Sequence, residues 1–575
     1  MKINKFIPIL DSFATHTSGD WWKDFMAGLT VSVMLVPQGM AYAMLAGMPP
    51  IYGLYGGLIP LFLYAIFGTS RQMSIGPVAI SALLVLAGVS KIAEPLSPEY
   101  VSFVILTGLL VGVAQVLLSL FRLGFLINFI SHPVIIGFTS AAAIIIAISQ
   151  FKDVLGFPVP RFDYAYEKVR YVFLHLSETN PLSTILCFGS ILLMVVLRKI
   201  RRSIPGALVV TVIGAVLVYA LGEEVMLIDI IKEVPQGLPA FQSPEMSWKS
   251  ISILLPTVST VTIICIVESI AIAKVLQAKH GDYKIRPDQE LFALGISKLG
   301  GAFFQSIPTS GSFTRSAVNN ESGASSGFAS IITAIIIGMT LLFLTPLFYY
   351  VPKAVLAAII LLSVRSLFEW EEAVALWHTH RSDFMMMLTT FVATLVLGIE
   401  EGVFAGVLLS IVVILYKSTK PHMAILGKLP DTNIYRNIDR YETAERLDGG
   451  LIIRFDDQLY FANASFFQDR IQEIVAQESK LQFFLLDTSN IHDIDSTGVH
   501  ALEEVFNFLK KRKLPFYISG LRGPVRDRIA KEGLMERLGE KNLYLEIHQA
   551  ITDLRNPDSD VGKDWLRDAL QSNSD

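Results

Sequence analysis

The sequence has few charged residues and few cysteines, and both shortages restrict the kind of protein it can specify. Charged side chains make up 17% of the 575 residues, whereas an ordinary soluble protein has about 25%. The two cysteines, Cys187 and Cys265, lie inside apolar runs. This excludes a disulfide framework and a cysteine metal site and leaves them as packing residues. The net charge of −4 gives no reason to expect a nucleic-acid partner.

Motifs of catalytic and ATP-driven proteins are also absent from the sequence. It has no Gly-x4-Gly-Lys-Ser/Thr loop to hold the phosphates of ATP, no His/Cys cluster with metal-ligand spacing and no exposed nucleophile motif. We therefore expect neither an enzyme nor a resident metal or cofactor. The apolar patch in Met1–Leu10 is too short for a signal peptide, so the first membrane helix should direct insertion.

The charges that are present concentrate near the C-terminus. Hydrophobic residues make up 52% of the chain, and mean hydropathy is +0.52. Of the 98 Asp, Glu, Lys and Arg residues, 46 fall in the last 155 positions, so the charged fraction rises from about 12% to about 30%. This distribution predicts a cytoplasmic segment 1–23, a membrane domain 24–420, a linker 421–435, a soluble domain 436–556 and a polar tail 557–575.

The apolar runs of the first 420 residues predict about fourteen membrane helices, because a span needs about 20 apolar residues. Lys and Arg concentrate in the even-numbered turns and Glu in the opposite turns, with the loop 152–180 as a partial exception. Positive charge marks the cytoplasmic side, so both termini are expected in the cytoplasm.

The region after position 435 alternates between strand and helix patterns, which predicts a small α/β domain. The predicted strands are Leu451–Phe455, Gln482–Leu486, Pro515–Ser519 and Leu543–Ile547, and the predicted helices include Ala464–Gln477, Ser496–Lys511 and Val525–Leu538.

Two segments interrupt the apolar runs at matching positions of the two halves of the membrane domain. Ser74–Ala79 and Pro308–Ser316 each end an extended stretch and begin a helix. Interrupted segments at corresponding positions indicate a midplane binding site in inverted-repeat transporters, and two facing helix N-termini would bind an anion. The alternative is a pair of Pro/Gly kinks that ease helix packing.

Four side chains near these segments have polar or charged groups inside the apolar region. Arg315 is either an anion ligand or a cation that reaches the interface or neutralises a carboxylate. Glu268 is either the carrier of a coupling proton, since burial favours the protonated form of a carboxylate, or a structural carboxylate paired with Arg315. Gln38 and Tyr42, one helical turn apart, either line the same cavity or form hydrogen bonds between helices.

Four stretches of the sequence resemble a known family. Pro50–Tyr55, Ser74–Pro77 and Ser310–Asn319 resemble the sulfate permease (SulP) anion transporters, and Leu486–Gly498 resembles the STAS domain that follows their membrane domains. The resemblance covers about 20–550. It implies fourteen segments in a seven-plus-seven inverted repeat, core and gate subdomains, a C-terminal α/β STAS-like domain and a homodimer.

The resemblance also implies residue roles. It assigns Glu268 to the acidic position of the eighth segment, and it makes Ser496 either a phosphorylation site or a plain helix N-cap. The implied substrate-binding residues are Gln38, Tyr42, Gly76, Pro77, Val78, Ala79, Ser312, Phe313, Thr314 and Arg315.

Together these observations predict a proton-coupled importer of a small oxyanion, with sulfate as the first candidate. The protein is expected in a bacterial cytoplasmic membrane, where it contacts membrane lipid. A sodium-coupled bicarbonate transporter, a proton-coupled dicarboxylate transporter, and an anion exchanger or channel of the same fold are the alternatives. A nucleobase permease is disfavoured by Arg315. A signalling platform built on the tail is a further possibility, which deletion of 436–575 would test.

Overall fold

A computed structural model describes residues 6–11, 16–125, 131–160, 162, 165–200, 204–222, 227–281, 283–478 and 480–555. The chain divides into two compact units, Met1–Ile411 and Val412–Asp575. The first unit is almost entirely helical and the second is a mixed α/β fold, which confirms the expected fold class.

The helices of the first unit begin and end where the sequence supplies caps and breakers. Thr17 caps the first helix through reciprocal hydrogen bonds with Asp20, and Gly281 ends the longest helix in the left-handed conformation. The elements are α1 Ser18–Leu45, α2 Ile51–Gly56, α3 Ile59–Phe67, β1 Ile75–Gly76, α4 Ala79–Val89, α5 Pro98–Leu120, α6 His132–Ser149, α7 Phe151–Leu155, α8 Ala165–Leu174, α9 Pro181–Ile200, α10 Gly206–Leu221, α11 Trp248–His280, α12 Pro287–Phe303, β2 Ser310–Gly311, α13 Phe313–Glu321, α14 Phe328–Met339, α15 Lys353–Val364, α16 Trp370–Thr379, α17 Arg381–Val396 and α18 Ile399–Thr419.

Seven helical segments within the described residues are long and apolar enough to cross a membrane. Four shorter apolar helical segments, Ile51–Phe67, Ala79–Val89, Gly206–Leu221 and Lys353–Val364, accompany them. With α12, α13 and α17 the described part of the chain has fourteen segments, as the apolar runs predicted. The two broken segments, β1–α4 and β2–α13, are the third and the tenth, seven segments apart.

Helix contacts separate the first unit into two bundles. Helices α1–α5 pack with α11–α14, whereas α6 packs with α17 and α15 packs with α9 and α10. The bundles meet mainly where α1 contacts α10 and α15 and where α4 contacts α6. Both broken segments belong to the first bundle, and this division matches the core and gate implied by the resemblance.

The second unit is built on a six-stranded mixed sheet with strand order β4-β3-β5-β6-β7-β8. Strands β5 to β8 are parallel, and β3 pairs antiparallel with both β4 and β5. Alternate residues of the strands face two apolar layers, one covered by α19 and α20 and the other by α23. The elements are β3 Met423–Lys428, β4 Tyr435–Asn437, β5 Gly450–Phe455, α19 Ala464–Gln477, β6 Phe483–Asp487, α20 Ser496–Lys511, β7 Phe516–Ser519, α21 Gly523–Lys531, α22 Leu534–Leu538, β8 Leu543–Tyr544 and α23 Ile547–Arg555.

The structure corrects the sequence-based boundaries of this second unit. The predicted linker 421–435 contains β3 and the first residue of β4, because backbone pairing with β5 draws this stretch into the sheet. The predicted helix Val525–Leu538 is two helices, interrupted at Gly533 in the left-handed conformation. The last strand is shorter than predicted, since α23 begins at Ile547. The predicted polar tail 557–575 lies outside the described residues.

Candidate functional site

The two broken segments meet through their short strands. Strands β1 and β2 pair antiparallel, with Ile75 opposite Gly311 and Gly76 opposite Ser310, and the Ser312 amide donates to the Ser74 carbonyl at 3.1 Å. Because α4 begins directly after β1 and α13 directly after β2, this pairing brings two helix N-termini to one place. Free N–H groups and the positive ends of two helix dipoles therefore share one site.

The caps of the two helices differ. Ser312 caps α13 by accepting a hydrogen bond from the Arg315 amide at 3.4 Å. The N-cap position of α4 is Val78, whose side chain cannot accept a hydrogen bond. Pro77, immediately before Val78, supplies no N–H, and its ring restricts the preceding backbone to extended conformations. The first turn of α4 thus offers N–H donors that no side chain of the cap position satisfies.

Arg315 places a full positive charge at this junction. Its side chain is 0% exposed, and its Nε, Nη1 and Nη2 have no hydrogen-bond partner among the residues that the structure describes. Gly76 makes room for it, since a Cβ atom at Gly76 would lie 3.2 Å from Arg315 Nη2. A buried donor left unpaired costs about 1–3 kcal/mol, and more when it is charged. The guanidinium is therefore not part of an internal ion pair among the described residues, and its donors are free for a ligand.

Glu268 forms its hydrogen bond with the second broken segment and not with Arg315. Its Oε2 accepts a hydrogen bond from Ser310 Oγ at 3.0 Å, and the carboxylate is only partly buried. The neighbouring Ser269 Oγ accepts from the Gly311 amide at 3.0 Å, so α11 is attached to β2 at two adjacent residues. The alternative in which Glu268 forms an ion pair with Arg315 is not the arrangement in this structure.

The two polar residues of α1 are buried on the same face. Tyr42 is close enough to Arg315 and Glu268 to interact electrostatically with both, and it contacts Ser363 of α15 in the other bundle. Gln38 is buried one turn earlier, and no described residue forms a hydrogen bond with its Oε1. Tyr42 therefore lies between the site and the second bundle. Gln38 presents an acceptor or, if its amide is flipped, a donor.

The remaining predicted site residues differ in exposure. Val78 and Ala79 are buried at the start of α4, whereas Phe313 is 51% exposed and Thr314 is also exposed. Thr314 Oγ1 lies 3.3 Å from Ser312 Oγ. The first turn of α13 therefore has an exposed side, at Phe313 and Thr314, and a buried side, at Arg315 and Ser316.

Sequence reasoning missed three buried charged residues in the first bundle, Asp24, Glu290 and Lys298. Lys298 of α12 is 2% exposed, and its Nζ donates to Gln115 Oε1 at 3.0 Å. Glu290 of the same helix is 0% exposed. The rule that singled out Arg315 and Glu268, a lone charge within an apolar run, applies equally to Lys298. Glu290 gave no such signal, because it stands at the charged end of its run.

In the second unit, Ser496 is not the helix cap that one reading proposed. The N-cap of α20 is Asp495, whose carboxylate accepts from the Gly498 amide at 2.7 Å. Ser496 is the first residue of the helix and is exposed. The capping role therefore belongs to Asp495, and modification of Ser496 stays a prediction.

Comparisons with known proteins agree with this architecture. The chain matches the family model described as "Sulfate permease family" over residues 21–390 and the "STAS domain" model over residues 441–550. It is 39% identical to "Sulfate transporter 4.1, chloroplastic" of Arabidopsis thaliana, over 96% of this chain and 82% of that protein. It is 32% identical to "High affinity sulfate transporter 1" of Stylosanthes hamata, over 96% of this chain and 86% of that protein.

Solved structures support the same assignment. The structure of the murine Solute Carrier 26 family member A9 anion transporter in the inward-facing state has a TM-score of 0.88 and 25% identity, over 96% of this chain and 94% of that chain. The transmembrane domain of the cyanobacterium bicarbonate transporter BicA has a TM-score of 0.60 and 21% identity, over 68% of this chain and 98% of that chain, a likeness that concerns the fold alone. The chain is thus a multi-pass membrane protein that belongs to the sulfate permease family and has a C-terminal STAS domain.

Proposed function

We propose that the protein is a secondary transporter that imports sulfate together with protons by alternating access. The observation that carries this proposal is the buried guanidinium of Arg315, which has no hydrogen-bond partner in the described part of the chain and lies where two helix N-termini meet. Sulfate is a tetrahedral dianion whose oxygens can accept from the guanidinium and from backbone N–H groups together. The relatives named as sulfate transporters favour sulfate over bicarbonate and dicarboxylates.

Import of a dianion needs an accompanying positive charge. An inside-negative membrane potential opposes entry by about 2.3 kcal/mol per charge per 100 mV. Glu268 suits a proton carrier, because the residue is only partly buried and, among the described residues, its carboxylate accepts from one hydroxyl, that of Ser310. A proton can reach and leave such a group without dismantling a network. Its charge also acts on Arg315, so protonation would strengthen the field that the anion feels.

The two bundles supply the moving parts for alternating access. Helix α18 packs on α6 and α17, as the close approach of Gly406 to Val134 and Thr390 shows, and it thus belongs with the second bundle. Its Glu400 accepts from Thr257 of α11 at 2.7 Å and from Lys91, just after α4, at 3.1 Å. These polar contacts join the bundles away from the strand junction, and they would have to break when the site opens on that side.

The membrane assignment and the assembly belong to the same proposal. We place both termini in the cytoplasm on the distribution of Lys and Arg in the turns, and we propose a homodimer. Assignment to a bacterial cytoplasmic membrane has no support from the relatives named above, which are plant proteins.

Uptake of radiolabelled sulfate into proteoliposomes tests the proposal. We expect saturable accumulation driven by an inward proton gradient, abolished by a protonophore and independent of sodium. Competition by unlabelled bicarbonate and a dicarboxylate ranks the alternative substrates. Accumulation that requires sodium would refute proton coupling, and flux that never saturates would favour a channel. Failure of sulfate to enter, when bicarbonate or a dicarboxylate does, would refute the substrate.

A further inference from the structure

We propose that Glu290 is a positioning residue for the anion site, because it holds the irregular segment 68–74 that leads into β1. Glu290 lies on α12 and does not touch the site. The inference rests on the proposed function, since it concerns how the same site is assembled.

The segment 68–74 has an unusual requirement for hydrogen bonds. It connects α3 to β1 without regular secondary structure, and most of its residues are buried. Irregular backbone inside the apolar part of a membrane protein needs partners supplied by neighbouring side chains. The contacts of this segment therefore decide where β1, and with it the first turn of α4, can lie.

Glu290 supplies those partners at the beginning of the segment. Its Oε1 accepts from the Thr69 amide and the Thr69 hydroxyl, each at 2.5 Å, and from the Ser70 amide at 3.0 Å. Its Oε2 accepts from the Tyr64 hydroxyl at 2.8 Å. Four donors thus point at two oxygens of a side chain that is 0% exposed.

These donors suit a carboxylate. Its oxygens accept, and the Thr69 and Ser70 amides can only donate. Glutamine keeps the shape of the side chain but removes the charge that strengthens each of these hydrogen bonds. Glu290 therefore differs from Glu268, which accepts from the Ser310 hydroxyl.

The other end of the segment is held by the second broken helix. The Asn319 amide donates to the Gln72 carbonyl at 2.9 Å, and the Ser74 amide donates to Ser316 Oγ at 3.0 Å. The segment is thus fixed between α12 and α13. If the hydrogen bonds from Thr69 and Ser70 to Glu290 were lost, β1 would become more mobile and the N-terminus of α4 would shift relative to Arg315.

Asp24 of α1 provides a matched control. It is also 0% exposed, and its carboxylate accepts from the amides and hydroxyls of Ser325 and Ser326. That turn follows the far end of α13, a helix of nine residues, which places it about 14 Å from the site at 1.5 Å per residue. Asp24→Asn and Glu290→Gln therefore each remove the charge from a buried carboxylate that accepts two amides and two hydroxyls. They differ in that Asp24 also lies 3.0 Å from His16 Nε2, and the Asp24 turn contacts the tested segment at its other end, where the Ala324 carbonyl accepts from the Gln72 side chain at 3.2 Å.

The test compares both variants with the wild type as purified full-length protein, by sulfate binding and by amide hydrogen exchange. In Glu290→Gln we expect faster exchange over 69–76 and a sulfate Kd at least about tenfold higher, as loss of one hydrogen bond to a charged group implies. In Asp24→Asn we expect faster exchange over 324–327 and a Kd within about twofold of the wild type. Equal Kd changes in both variants would reduce Glu290 to a structural residue and overturn the proposal.

Two further measurements keep the test decisive. If Glu290→Gln does not fold, Tyr64→Phe removes a single donor to the carboxylate and should change exchange and Kd in the same direction by a smaller factor; unchanged exchange over 69–76 in that variant would contradict the proposal. If the wild type does not bind sulfate, the proposed substrate fails, and Kd is measured for whichever of bicarbonate or dicarboxylate does bind. Wild-type exchange over 69–76 in Glu290→Gln overturns the positioning role whatever the anion.

Discussion

Replacement of Arg315 by methionine should weaken sulfate binding at least about tenfold without destabilising the anion-free protein. Methionine keeps an unbranched side chain of similar reach and removes the charge and all five donors. Most buried charges stabilise a fold through their partners, so their removal is strongly destabilising. Among the described residues Arg315 has no hydrogen-bond partner, and Glu268 acts on it only through its charge, so its substitution separates ligand binding from stability.

The expected magnitude follows from the burial of the guanidinium. A hydrogen bond between charged groups contributes about 1.5–3 kcal/mol, and two unit charges 4 Å apart attract by about 4 kcal/mol at an effective dielectric constant of 20. One lost charge-assisted contact to sulfate should thus raise Kd by at least about tenfold to a hundredfold. Without anion, removal of the unpaired buried donors should leave the melting temperature unchanged or higher.

Thermal unfolding with and without sulfate measures both effects. Sulfate at 100 times the wild-type Kd should stabilise the wild type by about 2.7 kcal/mol, and at the same concentration it should stabilise Arg315→Met by at most about 1.4 kcal/mol, half of that shift. Arg315→Lys keeps the charge but loses the planar donor fork, so it should retain a reduced shift. Lys353→Met, which removes a cation paired on the surface with Asp229 at 3.2 Å, is the control and should behave as the wild type.

Two results would refute this reasoning. A wild-type sulfate shift in Arg315→Met would remove the residue from the binding site. A large loss of stability in the anion-free variant would show that the guanidinium supports the fold.

Three other predictions concern coupling and the second unit. Glu268→Gln, which imitates the protonated state, should still bind sulfate and exchange one sulfate for another but lose proton-driven accumulation; wild-type accumulation would exclude Glu268 as the coupling site. The isolated fragment 421–555 should be soluble and cooperatively folded, whereas 436–555 lacks β3 and leaves β5 as an open edge, so it should be less stable and aggregate; equal stability in urea would contradict the strand assignment. Asp495→Ala should lower the stability of fragment 421–555 by about 1 kcal/mol through loss of the α20 cap, while Ser496→Ala should be neutral by the same measurement.

Local patterns in the sequence predicted the elements better than their ends. Helices α19 and α20 have the predicted bounds, because each has an amphipathic period and a clear start. Strand β3 escaped prediction, since its partner β5 lies more than twenty residues further along the chain and nothing local marks the pairing. The start of α20 is a second case in which the sequence was insufficient. Two adjacent polar residues could each act as the cap, and only the backbone geometry selects Asp495.

For the site, the sequence by itself determined the ingredients: an apolar chain of about fourteen segments, two of them broken, and the lone charges Arg315 and Glu268. These follow from hydrophobicity, from the helix-breaking chemistry of Pro and Gly and from the cost of a charge in lipid, all local properties. Only the tertiary structure decided that Arg315 has no hydrogen-bond partner among the described residues, that Glu268 accepts from Ser310 and that Glu290 holds a segment more than 200 residues away. Contacts between residues so distant in sequence depend on how helices pack, and packing is a property of the whole fold.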